Sequence, residues 1–116
     1  MKVLNTTKGT LLADKAIFAE ILWKRLVGLL GRKGLCRGEA LVIRPCSGIH
    51  TFFMRFPIDV IFLDRDSRVR KVIRGMQPFR LSSLVLGARE AVELPSGVVA
   101  STRTEAGDLI EFQQSQ

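Results

Sequence analysis

The strongest constraint in this sequence is how soon each apolar run is stopped. Residues 40–44 end at Pro45-Cys46-Ser47-Gly48, residues 58–63 at Asp64-Arg65-Asp66-Ser67, and residues 68–74 at the break over 75–78. Residues 89–94 are closed by Pro95-Ser96-Gly97, and Gly107-Asp108 leads into a last run, 109–112. Proline stops a run by fixing φ, glycine by opening φ > 0, and aspartate by bonding its own backbone. Runs this short, bounded this way, read as strands, with 50–53 as another and 98–104 as a short helical turn. At 116 residues and 47% apolar content the chain can bury a core without disulfides. It shows no repeat, linker or low-complexity block. The expected architecture is a single mainly β domain over residues 1–116, with a frayed tail at 113–116. It is a small β-sandwich, jelly-roll-like, or a partly open barrel, with one helix in its N-terminal half and short helical turns.

That helix is expected at 16–30. Phe18, Ile21, Leu22, Leu26 and Leu29 recur on one helical face. Glu20 and Lys24 stand four apart in the favourable order, and Gly31 supplies a stop. Residues 10–13 read equally as a strand running into it. No apolar core follows Lys2 as a signal peptide requires, and the apolar stretch 26–30 is too short to cross a bilayer. The expectation is a cytoplasmic chain with no membrane-inserted segment, although a mature form cut from a longer precursor would look the same.

Charge is concentrated. The net charge is +7, and Arg65, Arg68, Arg70, Lys71 and Arg74 crowd onto one predicted hairpin. The turn at 64–67 predicts that Leu63 faces Arg68, Ile61 faces Arg70 and Asp59 faces Val72. Ile58, Val60, Phe62, Val69, Lys71 and Ile73 then form the core face. Asp59, Ile61, Leu63, Arg68, Arg70, Val72 and Arg74 form a mixed face, and a one-residue bulge would invert the assignment. The cations read either as a stripe for phosphate or nucleic acid, or as a solvated face paired with Asp59, Asp64 and Asp66. Aromatic interleaving and nucleic-acid-binding signatures are missing, which ranks nucleic acid below other partners.

Residues 46–59 are the densest in unusual side chains, holding the only His together with Cys46, three Phe, Met54, Arg55 and Asp59. One reading pairs Cys46 with His50 as thiolate and imidazole. A second has Cys46, His50 and Asp59 hold a metal; a single His and the lack of C-x-x-C make that a sparse ligand set. A third has His50, Thr51, Met54 and Asp59 line a groove walled by phenylalanines. Beside these stands a packed aromatic layer, compatible with the groove, in which His50 donates a ring N–H to a backbone carbonyl and Asp59 accepts hydrogen bonds from the Thr51 or loop amides. Cys36, between Gly34 and Gly38, reads as a structural loop residue.

The run Ile49-His50-Thr51-Phe52-Phe53-Met54-Arg55-Phe56-Pro57-Ile58-Asp59-Val60-Ile61-Phe62-Leu63-Asp64 resembles the signature of a bacterial and archaeal family, domain-of-unknown-function family 192. Gly28-Leu29-Leu30-Gly31-Arg32, Gly75-Met76-Gln77-Pro78, Val92-Glu93-Leu94-Pro95-Ser96-Gly97 and Gly107-Asp108 resemble its other blocks, so the likeness spans about 16–112. The resemblance implies a compact β-sandwich or jelly-roll-like domain with short helices and no established activity. Some members carry export signals; this chain shows none. The family's prominent polar and sulfur positions map onto His50, Thr51, Met54 and Asp59.

The functional expectation is a binding or accessory module for a small ligand or a protein partner. Its candidate site is His50, Thr51, Phe53, Met54, Arg55 and Asp59, with Arg70 and Arg74 as nearby cations. No catalytic residue, metal ligand or cofactor is assigned. The alternative is a small hydrolytic or metal-assisted enzyme using His50 with Cys46 or Asp59, and a third class is a basic nucleic-acid-associated module.

Overall fold

The computed structural model describes residues 1–18, 35–44, 47–49, 51 and 56–114. In chain order these hold β1 (Lys2–Asn5), β2 (Thr10–Ala13), β3 (Lys15–Phe18), β4 (Glu39–Ile43), β5 (Ile58–Leu63), β6 (Val69–Met76), β7 (Glu90–Pro95), a one-turn helix α1 (Val98–Ser101) and β8 (Ile110–Gln113). They form two sheets, a three-stranded one in the order β2-β1-β8 and a five-stranded one in the order β3-β4-β7-β5-β6. All described pairings are antiparallel except β3 with β4.

Two apolar layers follow. Between the sheets, Val3, Leu12 and Ile110 meet Ala16, Val42, Ile61, Leu63, Val92 and Leu94. On the far side of the five-stranded sheet, Ile58, Val60, Phe62 and Ala91 are covered by Ile49 and Phe56, with Val85 and Ala88 packed against them. The five-stranded sheet is therefore covered on both faces, and all six residues of β5 are buried. A strand in that position reads as an unbroken apolar run and not as an alternating one. At one edge Arg44 joins the sheets. Its guanidinium lies 4.7 Å from the centre of the Phe18 ring on β3 and 5.1 Å from that of Phe112 on β8, and it pairs with the buried Glu90.

Four expectations change. Residues 16–18 belong to β3 and not to a helix, because Lys15–Phe18 pairs in parallel with residues 39–42; the rest of the expected helix lies outside the described residues. Ile61 faces Val72 and not Arg70, and Leu63 faces Val69 and not Arg68, because the β5–β6 ladder shifts register between Phe62 and Leu63 and again between Ile58 and Val60. An even shift keeps side chains on their faces, so Val60 still shares a face with Ile73, whereas Val69 at the bulge joins the inter-sheet layer. The expected mixed face is, for Ile61 and Leu63, the sandwich interior. Thr51 is not in a strand. Strand β1, unassigned from sequence, is a four-residue segment held between β2 and β8, so its partner lies at the far end of the chain.

A polar lock closes the end of the sandwich where β1 turns into β2. Asn5 donates to Asp108 Oδ2 at 2.9 Å and to Thr104 Oγ1 at 3.1 Å, both buried. Lys8 Nζ reaches Asp108 and Glu105 at 3.0 Å, and the Glu105 N–H donates to Asp108 Oδ2 at 3.1 Å. Burial pushes the Asp108 carboxyl up, but the hydrogen bonds from Asn5, the Glu105 N–H and Lys8 outweigh it and hold it below the usual carboxylate range. A depressed folded pKa contributes stability above the unfolded value, and that stability is lost as pH falls through the folded one. Chemical denaturation at pH 7 and at successively lower pH is expected to show stability dropping below the ordinary Asp range. The Asp108→Asn variant is expected to start less stable and to show a shallower acid slope.

Candidate functional site

The carboxylate expected to order a ligand groove serves the fold. Asp59 on β5 is 1% exposed. Its Oδ1 accepts the Gly75 N–H at 2.8 Å, and its Oδ2 accepts the Gly97 and Val99 N–H groups at 3.0 and 2.8 Å. Gly75 and Gly97 have φ of +58° and +102°, a region that glycine enters without steric cost and L side chains rarely adopt. Gly97 is also the N-cap of α1 and has no side chain to cap it. Asp59 supplies the missing acceptor from another strand. One carboxylate thereby fixes the end of β6, the β7–α1 turn and the first turn of α1.

Thr51 is equally committed. Its Oγ1 donates to the Gln77 carbonyl at 2.6 Å and accepts the Arg80 N–H at 2.9 Å. Its backbone N–H donates to the Arg80 carbonyl, and its carbonyl accepts the Phe79 N–H. Ile49 continues the seam, accepting the Ser82 N–H at its carbonyl and donating its own N–H to Ser82 Oγ. The described part of the 47–51 segment is thus zipped to residues 77–85 above the far face of the five-stranded sheet. His50, Phe53, Met54 and Arg55, and Cys46 of the two chemical alternatives, lie outside the described residues.

The cations stand apart from Asp59. Arg70 donates through Nε and Nη2 to the Leu86 carbonyl at 3.2 and 3.1 Å, Lys71 Nζ lies 3.4 Å from Ser83 Oγ, and Arg74 is exposed. Asp64 Oδ1 accepts the Asp66 and Arg68 N–H groups and so shapes the turn. The expected pairing of the stripe with Asp59, Asp64 and Asp66 does not form among the described residues. No group of three His, Cys, Asp or Glu side chains among them is placed to hold a metal ion.

The carboxylate left over is Glu93. It sits at the middle of β7 opposite Leu41 of β4 and Val60 of β5, on the face of Ala91 that looks toward the 47–51 and 77–88 segments. It is 4% exposed, and no hydrogen bond or ion pair with another described residue reaches its carboxylate. Burial pushes it up to about 7. In the sequence Glu93 stands inside a strand block, where an acid carries no motif of its own. The available signal was an acid with Val92 and Leu94 on either side, in a run whose apolar neighbours leave no solvent face.

Two outcomes follow. Asp59→Ala leaves three N–H groups without their acceptor and is expected to cost about 4 kcal/mol; Asp59→Asn, which sets an NH2 group against one of those donors, loses roughly half as much. Urea titration checks both. For Glu93, a folded pKa raised from the ordinary 4.5 to about 7 means that the native state holds the proton more tightly than the unfolded chain. Its stabilising contribution is full below 4.5 and is lost as pH rises through 7, about 3 kcal/mol in all. The stability difference between the native chain and Glu93→Gln should drift by that amount across this window, and a constant difference contradicts it.

With the geometry established, known proteins of this kind can be compared. The family model of DUF192, Uncharacterized ACR, matches residues 3–112, so the match includes β1 as well as the signature region. The UPF0127 protein of Pyrococcus furiosus is 33% identical over 115 residues, covering 97% of this chain and 98% of its own length. The UPF0127 protein of Pyrococcus horikoshii is 34% identical over 113 residues, covering 95% and 97%. The crystal structure of a protein of unknown function from Novosphingobium aromaticivorans superposes with a TM-score of 0.76 at 19% identity, covering 97% of this chain and 84% of that one. A second crystal structure, from Sinorhizobium meliloti, gives 0.70 at 16% identity over 95% and 89%. At that identity the two structures speak for the fold alone. The family match and the archaeal relatives go further: the chain belongs to the DUF192 family.

Proposed function

We propose that this domain is a binding module for a small ligand, and that the ligand meets the protein on the far face of the five-stranded sheet, at Glu93. The observation that carries this reading is a carboxylate that is 4% exposed and has no partner among the described residues. Burial penalises the ionised form of this carboxylate. A ligand presenting an N–H, O–H or ammonium group removes that cost, while Leu41, Val60 and Ala91 beside it offer an apolar wall. Asp59 is unsuited to the role, because three backbone N–H groups already occupy it. The same occupation argues against Asp59 as a catalytic base, which weakens one arm of the enzymatic alternative. His50, Phe53, Met54 and Arg55 remain part of the proposal as candidate ligand contacts, with Thr51 holding the seam and not contacting the ligand.

Backbone amide shifts of the intact protein should be followed against a panel of small amines, polyols and amino-acid derivatives. Saturable shifts at Val60, Ala91 and Glu93 are expected from at least one amine or hydroxyl donor, and Glu93→Ala should weaken that response by about tenfold or more. A panel that moves none of these amides, or moves them equally in Glu93→Ala, argues against the reading.

A further inference from the structure

The loop between β6 and β7 shows its apolar side chains to solvent and points its small ones inward. Phe79, Leu81, Leu84 and Leu86 are 69–86% exposed, whereas Val85 and Ala88 pack against the layer under the five-stranded sheet. The exposure is built into the backbone. Phe79 N–H donates to Thr51, Ser82 N–H to Ile49 and Val85 N–H to Ser47, so three hydrogen bonds of 2.8–2.9 Å hold the loop along its length. Phe79 has φ +60°, a left-handed conformation that a bulky residue adopts at a cost. Scattered exposed leucines need no explanation; four large apolar residues on one pinned loop do.

The charge along this stretch of the chain is of one sign. Between Asp66 and Glu90 the sequence has six cations, Arg68, Arg70, Lys71, Arg74, Arg80 and Arg89, and no acid. All six are exposed, and none pairs with a carboxylate among the described residues. Arg70 and Lys71 lie against the loop itself, at the Leu86 carbonyl and Ser83 Oγ. Two copies of this surface would repel, so a second chain is a poor occupant. Nucleic acid uses the cations but leaves three leucines in water.

We propose that this loop docks the protein on an anionic lipid surface, its apolar tips entering the headgroup layer while the surrounding arginines and Lys71 meet lipid phosphates. Protruding apolar side chains with cations beside them bring together the two attractions that hold a protein on such a surface without spanning it. No helix among the described residues is long and apolar enough to cross a membrane. The proposal is independent of Glu93, which lies beneath the loop.

The test is co-sedimentation of the full chain with phosphatidylcholine vesicles, with and without phosphatidylglycerol, at low and moderate salt. Saturable binding is expected only with phosphatidylglycerol and should weaken as salt rises. Leu84→Ser/Leu86→Ser and Arg74→Glu/Arg80→Glu, each at exposed positions and checked for an unchanged melting temperature, should each reduce it by roughly tenfold. Leu86→Trp should shift its emission to the blue on phosphatidylglycerol vesicles, a gain of signal that does not depend on a damaged variant. Absence of binding, binding untouched by Leu84→Ser/Leu86→Ser, or an unshifted Leu86→Trp spectrum overturns the proposal.

Discussion

The contact of Asp59 with three backbone N–H groups is the interaction on which the rest of this fold depends. It lies where β5, the end of β6 and the β7–α1 turn converge, and two of its three donors are glycines at positive φ. Those turns leave N–H groups that no ladder satisfies, beside a carboxylate that is itself buried. A single carboxylate satisfies them at once and so fixes three chain segments relative to one another. Its placement also explains why a one-turn helix persists after β7: Gly97 gives α1 the reversal of direction, and Asp59 gives it the cap that Gly97 lacks.

With that corner fixed, the five-stranded sheet carries two unlike faces. One is the sandwich interior, where apolar side chains from both sheets meet and polar groups are confined to its ends, at the Asn5–Asp108 lock and the Arg44–Glu90 pair. The other is roofed by segments from before β5 and between β6 and β7, joined through Thr51 and Ile49. This roofed face holds Glu93, whose carboxylate has no partner among the described residues. Two carboxylates on neighbouring strands therefore meet opposite fates. Asp59 faces a turn with spare donors, and Glu93 faces aliphatic side chains from both flanking strands.

Much of the architecture was legible in the residues. The stops at Asp64–Ser67, at 75–78 and at Pro95–Gly97 delimit β5, β6 and β7 closely, because turn chemistry is local. The hairpin register was not legible, since two irregularities in the ladder depend on how Asp59 and the Asp64 turn settle the backbone. Nor was β3, whose Ala16, Ile17 and Phe18 fit a helical stripe as well as a strand and are decided by a parallel partner more than twenty residues away. In the chemically crowded stretch around His50, the spacing of polar residues singles out Asp59 but cannot tell that it meets three backbone donors, whereas Glu93 meets none among the described residues. That difference arises only when strands distant in sequence are laid side by side.

Glu93 is buried, with no partner among the described residues, and its carboxyl can be watched directly. The carboxyl carbon shift of Glu93, assigned by comparison with Glu93→Gln and followed by NMR across the pH range, is predicted to titrate at about 7. A Glu93 that titrates near its ordinary 4.5 would mean that its carboxylate is hydrated or paired, and would contradict the site proposed there.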